Sequence, residues 1–135
     1  MHRAIRIQAG LVEQLLAHAH RNAAQECCGL LAGKEGAITR ALPAANALAS
    51  ATAYEIAPGE LFRLMREIRS AGLELLGIYH SHPTGENKPS QRDIERAYYP
   101  ATAYFIISPR ADSIQPIRAF SIQNGSATEL EIQEV

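Results

Sequence analysis

The stretch from Glu60 to Pro83 constrains this chain more than any other. Leu61, Leu64, Met65 and Ile68 recur at helical spacing, Glu60 falls in the first turn, and Gly72 is placed to end the helix. Leu73 to Tyr79 is then a mostly apolar run of strand length that leads directly into His80. Around this core the same two periods alternate. Ile5 and Ile7 flank Arg6 and predict a short first strand, and Leu11, Val12, Leu15, Leu16 and Ala19 predict an amphipathic helix to about Arg21. Cys27 to Ala32 reads as a buried strand, joined through a turn at Gly33–Gly36 to a second strand from Ala37 to Leu42. The rest reads as a connecting loop over Pro43–Thr52, a short strand over Tyr54–Ala57 and a loop over Pro83–Pro89. A helix over Ser90–Tyr99 stops at Pro100, and strands follow over Thr102–Ile107, Ile114–Ser121 and Thr128–Glu134. No repeat, low-complexity tract or linker interrupts the pattern. The expectation is a single domain spanning residues 1–135, with a sheet covered by helices on its faces.

Composition narrows the function classes. Hydrophobic residues make up 47% and charged residues 20%, with a formal net charge of −1, so no electrostatic footprint for nucleic acid or an anionic membrane is present. Met1 to Gly10 carry Arg3 and Arg6 and no long apolar run, and no stretch of about 20 apolar residues occurs elsewhere, which favours a cytoplasmic location. Cys27 and Cys28 are neighbours. A bond between them would be strained, so both are expected as reduced thiols packed in or beside the core.

The chemistry is concentrated in His80-Ser81-His82-Pro83 and, after a loop, Ser90-Gln91-Arg92-Asp93. Two histidines at i and i+2 on a strand end point their rings to the same side, so their nitrogens can converge on one metal at about 2.0–2.1 Å. A carboxylate supplies a third ligand at a similar distance, and three protein ligands leave a fourth tetrahedral position open, the arrangement of catalytic zinc. A hydrolase of this kind also needs a nearby carboxylate to take a proton and pass it to the leaving amine. Taken singly, each residue has a plainer reading. Ser90-x-x-Asp93 is a helix capping box, Glu26 is a surface carboxylate, and His2, His18 and His20 are surface or satisfied core residues.

Taken jointly, the order and spacing resemble the signature of the JAMM (MPN-type) metallopeptidases: His80-x-His82-Pro83, ten intervening residues between His82 and Asp93, and Ser90 three residues before it. Gln25-Glu26-Cys27-Cys28-Gly29-Leu30-Leu31 is similar to the stretch in which that family carries its catalytic glutamate. The resemblance implies zinc held by His80, His82 and Asp93, with Glu26 as general acid/base and Ser90 hydrogen-bonding the zinc water or the oxyanion. It implies an α/β, cytidine-deaminase-like sandwich with a mixed curved sheet between helices. It also implies a compact bacterial or archaeal enzyme acting on the C-terminal tail of a ubiquitin-like or sulfur-carrier protein, with small residues on both sides of the cut. A homodimer through the apolar first helix is a further possibility. Three other readings compete. His80-x-His82 with Glu86 has the spacing of part of a cupin metal site, although the flanking glycines are missing. Zinc deaminase chemistry lacks its Pro-Cys-x-x-Cys element. A non-catalytic scaffold of the same fold would not need all five functional positions, which are filled here.

Overall fold

The structure, a computed structural model, describes residues 3–135. Strand β1 spans Ala4–Ile7, helix α1 Leu11–Arg21, β2 Cys28–Lys34 and β3 Ala37–Ala44. Helix α2 follows over Pro58–Ser70, then β4 over Glu74–Ser81, α3 over Gln91–Glu95, β5 over Ala103–Ile107, β6 over Ile117–Gln123 and β7 over Ser126–Glu134. His2 lies outside the described residues. Among those described, no helix is long and apolar enough to cross a membrane.

The strands form one mixed sheet in the order β1-β3-β2-β4-β5-β6-β7, and its curvature runs to closure because β1 also pairs with β7. The β1–β3, β1–β7 and β4–β5 pairs are parallel and the rest antiparallel. Alternation along the strands then makes two cores. On one face, Leu31, Tyr79, Phe105 and Ala119 pack with Leu11, Leu15 and Ala19 of α1. On the other, Leu30, Ile78, Ile106 and Ile122 pack with Leu64 and Ile68 of α2. The sheet therefore does lie between helices, as expected, but it is not an open layer. The apolar stripe of α1 packs into this internal core through Leu11, Leu15 and Ala19. Two register shifts, one in the β2–β3 pair between Ala32 and Gly33 and one in the β2–β4 pair between Leu31 and Ala32, add the curvature a closed sheet needs.

Several boundaries differ from the sequence expectation for local reasons. No strand forms at 54–57, because the Glu55 amide donates to Asn46 Oδ1 and the Glu55 carbonyl accepts from the Ala47 amide, which leaves no room for sheet pairing there. The helix begun at Ser90 stops after Glu95 instead of reaching Tyr99, whose amide donates to the Tyr104 hydroxyl. Strand β3 continues through Pro43, which is tolerated because β1 covers β3 only at Ala37 and Ile38. Strand β6 begins at Ile117, and Ile114, which had been read as its start, is almost fully exposed. Both tight hairpins turn on two residues with positive φ, Glu35-Gly36 and Asn124-Gly125.

Gly29 is set by packing. A Cβ there would stand 2.5 Å from Tyr79 Cε1 and 2.6 Å from the Leu42 carbonyl oxygen. The Tyr79 ring is fully buried across Gly29, and its hydroxyl meets His18 Nδ1 of α1 at 2.8 Å. Gly29→Ala should therefore cost about 1–3 kcal/mol through overpacking. Chemical denaturation that places the variant within 0.5 kcal/mol of the parent would show that the ring moves aside freely.

Candidate metal centre

The site begins with the end of β4. His80 is the penultimate residue of the strand and His82 follows its last, so both rings project to one side. Ser81, between them, points the other way: its Oγ accepts from the Cys27 amide at 2.8 Å, and its own amide donates to the Cys27 carbonyl at 3.1 Å. This clamp brings Glu26, a residue 54 positions upstream of His80, to the same end of the sheet. Glu26 and Cys27 precede β2 rather than lie on it. The Glu26 amide donates to the Ser50 carbonyl at 2.8 Å, and its carbonyl accepts from Asn46 Nδ2 at 3.0 Å.

Asp93 arrives from α3. Ser90 is the N-cap, its Oγ accepting from the Asp93 amide at 3.1 Å while Asp93 Oδ2 accepts from the Ser90 amide at 2.9 Å. The capping box is thus present, and it fixes the carboxylate that faces the histidines. Asp93 Oδ1 lies 3.2 Å from His80 Nε2, and Oδ2 lies 3.0 Å from His82 Nε2. The two Nε2 atoms are 3.1 Å apart. One ligand atom from each of the three residues falls within 4.8 Å of the others.

This donor set fits a divalent cation. His82 Nδ1 sits 2.6 Å from the Glu86 carbonyl oxygen, so in the neutral ring Nδ1 carries the hydrogen and donates it, leaving a lone pair on Nε2. That lone pair faces another imidazole nitrogen and a carboxylate, three electron donors aimed at one point. A second sign is Glu26 Oε1, which is buried with no hydrogen-bond partner among the described residues. Such an atom beside a polar cluster is where a water or reacting group belongs.

The ionisable groups of the site perturb one another strongly. Burial pushes the Glu26 carboxyl up to about 7, with Asp93 adding to the rise while His82 and Arg92 oppose it. Burial alone would raise Asp93 as well, but hydrogen bonds from His80 and His82 outweigh it and hold its carboxyl below the usual range. Burial lowers His80. It would lower His82 too, yet the Asp93 and Glu86 contacts win and His82 is raised.

Two residues of the site escaped the sequence reading. Tyr54 stacks on the His80 ring, with centroids 4.6 Å apart and planes at 22°. Asn46 organises the approach to both: its Nδ2 donates to the carbonyls of Glu26, Ser50 and Ala53, and its Oδ1 accepts from the amides of Leu48 and Glu55. An Asn in an Ala- and Ser-rich loop resembles any turn residue, and nothing local marks it as a hub. The cupin-like reading fails here. The Glu86 side chain is exposed and pairs with Lys88, and only its backbone carbonyl serves the site. Cys27 and Cys28 are free and buried, as expected of packing residues. His18 is satisfied by Tyr79, and His20 is exposed on α1.

Comparison with known proteins places this geometry. Residues 8–123 match the family model described as prokaryotic homologs of the JAB domain. The chain is 36% identical over 131 residues to the CysO-cysteine peptidase of Mycobacterium tuberculosis, covering 96% of this chain and 90% of the relative. It is 41% identical over 104 residues to the desampylase of Haloferax volcanii, covering 72% and 75%. The solution structure of protein DSY2949 from Desulfitobacterium hafniense superposes with a TM-score of 0.83 at 30% identity, over 97% of this chain and 92% of that one. With the family match running from α1 through β6 and across the site, the chain belongs to the prokaryotic JAB-domain family.

Proposed function

We propose that this protein is a zinc-dependent hydrolase of peptide or isopeptide bonds that processes the C-terminal glycine tail of a ubiquitin-like or sulfur-carrier protein. The convergence of His80 Nε2, His82 Nε2 and the Asp93 carboxylate carries the reading, because three electron donors so placed call for a cation. Two imidazoles, one carboxylate and an open position suit catalytic zinc. The names of the peptidase and desampylase relatives support the substrate class, and two free, buried thiols support a reducing, cytoplasmic setting.

In this reading, zinc acts when bound as a Lewis acid and makes water acidic near neutral pH. The protein does the rest. Glu26, held near neutrality by burial, accepts the water proton at its unpartnered Oε1 and returns it to the departing amine nitrogen. The Ser90 hydroxyl accepts one bond from the Asp93 amide and keeps its own hydrogen to donate to the carbonyl oxygen as charge develops there. The Glu86 carbonyl accepts from His82 Nδ1 and so orients that ring with its Nε2 toward the site.

Ser90 separates chemistry from capping. Ser90→Ala should lower turnover by roughly 10²–10³ if the hydroxyl serves the oxyanion, against about 1 kcal/mol of stability for a lost cap. A variant that melts earlier yet turns over normally would reduce Ser90 to a cap. For the function as a whole, the zinc-loaded protein is incubated with a small carrier protein bearing a C-terminal amino-acid adduct after glycine, and its mass is followed. Release by the parent but not by Glu26→Gln is expected. Efficient cutting of unstructured peptides without glycine at the bond would point to a general peptidase instead.

A further inference from the structure

Beside the metal centre, on the α2 face of the sheet, lies a cavity of about 180 Å³ that His80 and Asp93 help to line. Its apolar floor comes from Leu30, Ile78, Ile106 and Ile122, with Tyr54 and Leu61 as walls. A dry apolar cavity of about 150 Å³ is enough to hold a benzene ring, so this one has room for a large aliphatic or aromatic side chain. Two cations stand in the same lining, Arg92 and Arg96. Arg96 is exposed and pairs with Glu55 at 3.9 Å. Arg92 is half-buried and its guanidinium makes no hydrogen bond or ion pair among the described residues, although its charge acts on the Glu26 carboxyl. A guanidinium offers a planar fork suited to a carboxylate, and this one is free to take a ligand anion beside the cavity.

We propose that the cavity receives the side chain of the amino acid released at the cut, with Arg92 holding that residue's free α-carboxylate. The assignment rests on the hydrolase reading above and extends it. Three features then engage one amino acid: Glu26 protonates its nitrogen, the cavity takes its side chain and Arg92 takes its carboxylate. The bond cut is the amide to the preceding glycine, water supplying the hydroxyl to the acyl carbon and the proton to the amine. The preferred leaving group is therefore a single apolar C-terminal residue, not a lysine side chain of a second protein. The requirement for small residues on both sides of the cut falls away on the leaving side.

The test uses the zinc-loaded full chain and two readouts. Carrier adducts ending in Gly-Phe, Gly-Ala and Gly-Phe-amide are compared by kcat/KM, and binding of L-phenylalanine, L-alanine and L-phenylalaninamide is followed by NMR titration. The Phe adduct should be released at least about tenfold faster than the Ala adduct, and roughly 10–100-fold faster than its amide. The three free ligands should bind in the same order of preference. Arg92→Met should erase the acid–amide difference in both readouts, Arg92→Lys should keep part of it, and Leu61→Phe should erase the Phe–Ala difference by filling the cavity. Equal release of all three adducts would overturn the assignment while leaving the hydrolase reading standing. An acid–amide difference that survives in Arg92→Met would also overturn it, placing the carboxylate on the metal. Arg92-dependent binding of L-phenylalanine without release of any adduct would support the cavity assignment and overturn the hydrolase reading.

Discussion

Glu26→Gln is expected to keep the fold and the metal while lowering turnover by about 10²–10⁴, the range that a positioned general base contributes. The amide fills the same space in a pocket where Glu26 is 3% exposed, and its backbone clamps to Ser50 and Asn46 are untouched. What it cannot do is accept the water proton. The same substitution has a thermodynamic signature. In the metal-free protein the folded state holds the Glu26 proton up to about pH 7, whereas an ordinary glutamate loses it near 4.5. The folded state therefore binds the extra proton across that window, and stability falls as pH rises through it. Glutamine removes this loss, so the variant should be the more stable protein above pH 7, by up to about 3 kcal/mol. Melting curves from pH 5 to 8 with chelator, beside single-turnover rates with zinc, read both effects. Near-parental turnover in Glu26→Gln would require another base.

The second large effect concerns the metal. Asp93→Asn, or loss of either histidine, should abolish stoichiometric zinc, weakening affinity beyond the roughly 10–100-fold typical of a supporting partner. In the parent, zinc at about 100 times its Kd adds about 2.7 kcal/mol, or on the order of 10 °C in Tm for a chain of this length. The size of that gain should depend on pH. His82 is raised above its ordinary 6.5 by Asp93 and Glu86, so in the metal-free protein its charged form adds stability that is present below pH 6.5 and lost as pH rises through the folded value. Zinc takes the neutral ring and displaces that proton. Stabilisation by zinc should therefore grow from pH 5.5 to 8. Elemental analysis of His82→Ala with a full metal complement would remove His82 from the site.

How much of this was legible without a structure differs from residue to residue. The His80-x-His82 pair could be read because strand geometry alone puts i and i+2 on one side, and the apolar run before it identified the strand. Ser90 and Asp93 could be read as a cap from spacing alone, and the capping box is there. Their relation to the histidines came only with the resemblance to a family, because no local rule links residues eleven positions apart. Glu26 had no signal of its own.

What the sequence by itself determined was set by periodicity: the two amphipathic helices, most of the strands and the strand end that carries the histidines. Only the tertiary structure decided the closure of the sheet through β1 and β7, the Ser81–Cys27 clamp that delivers Glu26, the Asn46 hub, the Tyr54 ring on His80 and the cavity beside Arg92. The physical reason is range. Hydrophobic period and capping act over three or four residues and are written locally. A buried hydrogen bond, a stacked ring or an unpaired guanidinium acquires its meaning from atoms that the chain brings close only after it has folded.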